Sequence, residues 1–166
     1  MNRLLCLLVC GLLLSTRPTV VGFADSASAF DVFKGLEGNW AIHSGDKMLN
    51  IRMTYGLGSK GSIVMEQFGN ELSVFYRDGQ HLLMTHFCNA GNQPRLRLKD
   101  NGAPGVFEFE MFDITNASKD SSAAHVERIV YKIIDKRHLD LEIVWTNGNS
   151  EESEKYALTR MAEKTD

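Results

Sequence analysis

Two groups able to do chemistry, His86 and Cys88, stand two residues apart in the segment Leu82-Leu83-Met84-Thr85-His86-Phe87-Cys88. Residues i and i+2 of an extended strand share a face, so imidazole and thiol point the same way. That arrangement suits a paired polar contact in a cavity, two ligands of a metal, or a thiol–imidazole dyad. A closed metal site needs more ligands at recognisable spacing, and none is evident, so no metal is expected. A nucleophilic dyad needs an oriented third group and a means of lowering the thiol pKa. No Gly-x-Ser-x-Gly turn is present either, so no catalytic residue is named. The plainer role for His86 is a hydrogen bond to the turn that follows.

Asn89, Asn92, Gln93 and Arg95 then gather amides and a guanidinium around Gly91 and Pro94. Such residues build turns; as a recognition patch they would receive a ligand carboxylate or carbonyl, with Arg95 gripping it in a bidentate manner. His125 is a second candidate working histidine.

Period-two patterns show which elements position these groups. Leu49, Ile51, Met53 and Tyr55 alternate with polar neighbours, as do Phe107, Phe109 and Met111, and then Leu139, Leu141, Ile143 and Trp145. Each pattern marks a strand with one buried and one wet face. Asn-Gly and Asp-Gly pairs fall between them, the chemistry of hairpin turns. The spacing predicts ten strands, at 39–45, 48–57, 61–68, 71–77, 80–88, 94–100, 105–113, 124–135, 137–147 and 150–161, after a short helix within 25–36. Without crossover helices this is an all-β antiparallel meander, whose edges are best removed by closing into an up-and-down barrel; a sandwich is the other solution. Strand 80–88 is apolar on both faces, so the outer face requires a cover such as the helix or a partner, or else a bulge lets both faces line the pocket.

The chain of 166 residues is 43% hydrophobic with 18 Lys+Arg against 21 Asp+Glu. That suits a folded single domain at 25–166 and excludes disorder and a basic nucleic-acid surface. Residues 1–24 read differently: Arg3, then the uncharged run Leu4 to Leu14, with small residues at Gly22 and Ala24. This is the pattern of a signal peptide cleaved near Ala24, too short for a membrane span. The mature chain is therefore expected to be exported, periplasmic or extracellular, with no transmembrane segment. Cys6 and Cys10 leave with the leader, so Cys88 has no intramolecular disulfide partner.

Gly38-Asn39-Trp40 directly after the helix, with Arg160 in the last strand, resembles the calycin superfamily of lipocalins and fatty-acid-binding proteins. The resemblance implies that Trp40 closes one end of the barrel and that Arg160 packs across it as a structural seal. The stretch from Leu82 to Arg95 also resembles uncharacterised bacterial exported proteins of lipocalin-like type, and that likeness brings no activity with it. The family's disulfide and Thr-Asp-Tyr motif are absent. Nitrobindin-like haem barrels are also ten-stranded, but a histidine late in the last two strands is missing; no resident cofactor is expected, haem being the one to look for.

The leading expectation is a monomeric lipocalin-like barrel that binds a small apolar or amphipathic molecule, not nucleic acid. Met53, Tyr55, Phe109, Tyr131 and Trp145 would form its walls, with His86, Cys88, Asn92, Gln93 and Arg95 as its polar end. The alternatives are a barrel enzyme, an isomerase or a haem-dependent detoxifying one using His86 or His125, and a solid barrel acting as a protein-interaction module.

Overall fold

A computed structural model describes residues 26–100, 103–117, 123–148 and 150–162. The proposed leader and its cleavage site near Ala24 lie outside them. Helix α1 (Ser26–Lys34) is followed by ten strands: β1 (Gly38–Ser44), β2 (Lys47–Gly58), β3 (Ile63–Phe68), β4 (Glu71–Asp78), β5 (His81–Phe87), β6 (Gln93–Leu98), β7 (Val106–Thr115), β8 (His125–Ile133), β9 (His138–Asn147) and β10 (Ser150–Arg160). Each strand pairs antiparallel with its neighbours in sequence, and β10 pairs back onto β1, closing the barrel. That last pairing excludes a sandwich. Short turns hold the meander: Gly79 between β4 and β5 sits at φ +57°, a left-handed conformation that a side chain would strain.

The inward faces follow the alternation except at Ile51, expected on the buried face of β2 but 39% exposed, where the β1–β2 register shifts. Met53, Tyr55, Phe107, Phe109, Ile129, Tyr131, Leu139, Leu141 and Leu158 are buried, and Met111, Ile143 and Tyr156 pack against them. The register shifts between Trp40 and Ile42, Arg95 and Leu96, and Val126 and Arg128; the one-residue shifts in β7 and β8 reset which side chains face inward.

Helix α1 closes one end. Its apolar spacing buries Ala29, Phe30 and Phe33, and the helix stops at Gly35, whose N–H still reaches Asp31 O at 3.1 Å. Phe33 enters the barrel, stacked on Phe75 at 4.5 Å and edge-on to Phe107, Phe109 and Tyr131 at 5.5, 5.6 and 5.2 Å. Burying such a ring contributes about 1.5–3 kcal/mol, and each good aromatic pair adds about 0.5–1.5.

The helix therefore belongs to the barrel floor, and the cover expected for the outside of β5 comes from elsewhere. There Leu83 stands between Tyr76 and Arg97, and Thr85 Oγ1 and Tyr76 Oη are 3.2 Å apart. Beside Phe33, Trp40 Nε1 donates to Leu36 O at 2.9 Å. The Arg160 guanidinium lies 5.0 Å from the Trp40 ring and donates to Gly35 O. No helix among the described residues is long and apolar enough to cross a membrane.

Candidate functional site at the end opposite the helix

Antiparallel connectivity puts the ends of β3, β5 and β7 and the starts of β4, β6 and β8 at the end away from α1. Here the inner wall turns polar. His86 faces inward from β5, opposite Ser73 of β4, and is 4% exposed. Its Nδ1 lies 3.1 Å from Ser73 Oγ. Its Nε2 has no hydrogen-bond partner and stands 3.8 Å from Glu71 Oε2, too far for a hydrogen bond. Burial lowers the His86 pKa, partly opposed by the Glu71 charge, so the ring is held neutral.

Cys88, just past β5, receives the Ala90 N–H at 3.4 Å. Burial, with the Glu71 charge adding to it, pushes its thiol up. A thiol of that kind is a poor nucleophile, which weighs against the dyad. Asn89 N–H donates to Glu71 Oε1 at 2.9 Å, so the loop after β5 holds the carboxylate at the start of β4.

One layer deeper, Tyr131 donates to Glu66 Oε2 at 2.8 Å. Glu66 is 4% exposed, and burial raises its pKa despite the stabilising hydroxyls of Tyr55, Tyr131 and Ser73 around it. The two phenols are raised well above their ordinary value, first by burial and then by the Glu66 charge. The Tyr55 hydroxyl is buried without a hydrogen bond of normal geometry. Ser73 therefore stands between two buried ionisable groups, the Glu66 carboxyl and the His86 imidazole.

The residues expected to form one polar end separate into two groups. His86, Cys88 and Asn92 come together at the mouth, where Asn92 Nδ2 donates to Ala124 O at 2.8 Å and Asn92 Oδ1 is buried without a partner. Gln93 turns back to Gly91 O at 3.0 Å, as a turn residue would. Arg95 is on the outer face beside Thr85, ion-paired to Asp113 and 5.5 Å from the Phe112 ring. Trp145 lies level with Val126 and Glu152, its Nε1 buried and unpartnered. Met53, Tyr55, Phe109 and Tyr131 occupy the middle of the barrel. His125 pairs with Glu127 at 2.8 Å and Ala123 O at 3.0 Å, apart from the His86 group.

Sequence reasoning missed Glu66, Glu71 and Ser73. Parity in β3 carried a signal: Val64 and Phe68 share a face with Glu66, so burying them buries the carboxyl. In β4 the pattern misleads, because Leu72, Val74 and Tyr76 make the outer face look like the inner one. No family model matches the chain, and no curated protein matches it.

Proposed function

We propose that the chain is an exported, monomeric, calycin-like barrel that binds a small, largely apolar molecule bearing a polar group, entered from the end opposite α1. The observation that supports this is a set of buried polar atoms without partners at that end: His86 Nε2, Asn92 Oδ1 and Trp145 Nε1. An unsatisfied buried polar group costs about 1–3 kcal/mol, and a bound molecule offering a donor and an acceptor would remove that cost. Around them Leu49, Phe68, Met111, Ile143 and Tyr156 are only partly buried, as apolar walls open to a ligand would be. On this reading Trp40 and Arg160 seal the floor, and the aromatic plug confines the ligand to the other half. Export rests on the leader at 1–24.

The test is native mass spectrometry with an ultraviolet-visible spectrum on protein purified without detergent. A reproducible extra mass lost on denaturation, with quenched Trp145 emission on rebinding, is the expected result. A clean apo mass, with no small apolar or amphipathic probe altering Trp145 emission, overturns the reading. A Soret band would identify the occupant as haem and favour the haem-dependent alternative.

A further inference from the structure

We propose that Glu71, His86 and Cys88 form a three-ligand site for a borderline-soft divalent cation, zinc being the best match to the donor set. The sequence places two of these groups on one strand; the fold supplies the third by bringing the start of β4 beside the end of β5. One ligand atom from each, a carboxylate oxygen, an imidazole nitrogen and a sulfur, lie within 4.8 Å of one another. Zinc bonds of about 2.0–2.3 Å in a tetrahedron set donors about 3.5 Å apart. Glu71 Oε2 and His86 Nε2 are close to that at 3.8 Å, and the sulfur lies within 4.8 Å of both side chains' ligand atoms.

The neighbours of each donor already orient it. Ser73 Oγ, 3.1 Å from His86 Nδ1, can accept a hydrogen bond from Nδ1–H and so leave the Nε2 lone pair outward, the orientation that metal-ligating histidines take from such partners. The Asn89 N–H occupies Glu71 Oε1 and leaves Oε2. The Ala90 N–H points at Cys88 Sγ, where it would stabilise a thiolate.

The independent sign of a missing occupant is His86 itself, buried to 4% exposure with Nε2 lacking any hydrogen bond. A hydrogen bond to Glu71 does not account for it, because Glu71 Oε2 stands 3.8 Å from Nε2. Nitrogen, sulfur and a single carboxylate favour zinc over magnesium or calcium, which take oxygen ligands. Binding releases the Cys88 proton and leaves thiolate and carboxylate to balance the two charges of the ion. Three protein donors leave one tetrahedral position for water or a ligand atom. The site claims the same His86 Nε2 that borders the apolar pocket, and the cobalt band reads the metal alone, whatever the pocket binds.

The test is titration of chelator-treated, full-length purified protein with Co²⁺, followed by Zn²⁺. The expected result is a thiolate-to-cobalt band in the near ultraviolet that saturates at one equivalent, is displaced by one equivalent of Zn²⁺ and is unaffected by Mg²⁺. Cys88→Ser should abolish the band, and Glu71→Gln should weaken binding at least tenfold. Ser73→Ala, which leaves every ligand in place, should weaken it about tenfold. Circular dichroism identifies variants that have not folded, and Ser73→Ala keeps the test decisive if the ligand variants fail. Absence of the band from the folded parent protein overturns the proposal, as does stoichiometric binding unchanged in folded variants.

Discussion

The two ends of this barrel are built from opposite materials. At the α1 end Phe33, Phe75, Phe107, Trp40 and Arg160 close the interior with stacked rings and a guanidinium. At the other end three inward side chains, His86, Asn92 and Trp145, keep buried polar atoms without partners, against Arg160 Nε in the seal. An aromatic plug gains from every contact it makes, whereas an unsatisfied polar wall costs stability until something else binds. The difference teaches where to look for stability and where to look for function.

The sharpest way to break that contrast is Phe33→Ala. Removing a fully buried ring that touches four others should cost about 3–5 kcal/mol, measured by chemical denaturation, while Co²⁺ and ligand binding persist in the protein that remains folded. A loss below about 1 kcal/mol would show that the plug is not what holds the floor.

Arg160→Ala comes next. Losing the hydrogen bond to Gly35 O and the stacking over Trp40 should lower stability by about 1–3 kcal/mol without selective loss of ligand; unchanged stability would end its role as a seal.

The polar half should reveal itself through pH. Glu66 has a folded pKa raised above its ordinary 4.5. Between those values the folded state holds a proton that the unfolded chain has released, so stability declines as pH rises from 4.5 through the folded value. His86 has a folded pKa lowered from 6.5; its contribution is complete above 6.5 and is lost as pH falls through the folded value. Glu66→Gln should therefore flatten the decline on the alkaline side and leave the protein at least as stable at pH 8. His86→Gln should flatten the decline on the acid side. Thermal melts across pH check both, and parallel profiles for parent and variants would mean that neither group titrates as placed.

The smallest effect belongs to Arg95→Ala. Its ion pair with Asp113 is half exposed on the outer wall, so the loss should stay below about 1 kcal/mol. Binding of an acid and of its neutral analogue should be equally unaffected; selective loss of the acid would bring Arg95 back into the site.

Much of the architecture was legible because alternation and turn chemistry are local. All ten strands and the helix fall within about two residues of where period and turn signals put them, and the inward sides of β2, β7 and β9 follow directly from Met53, Phe109 and Leu141. The site was less legible because it depends on which strands meet. Glu71 and His86 are 15 positions apart in the sequence, and only the β4–β5 register sets them side by side. Arg95 misled for the complementary reason: closeness to Asn92 along the chain suggested one patch, while strand parity sends Arg95 outward and Asn92 inward. The bulge after Arg95 has no sequence signature of its own.

The pairing of β1 with β10 also governs how the molecule comes into being. Trp40 meets Arg160 across that seam, so the first and last strands must find each other across nearly the whole domain. Contacts of such long sequence separation form slowly. Until β10 emerges from the ribosome, β1 and β9 present unpaired edges, open to other chains. A nascent chain of this design stays unclosed through almost all of its synthesis, and one threaded across a membrane in extended form could complete its barrel only on the far side.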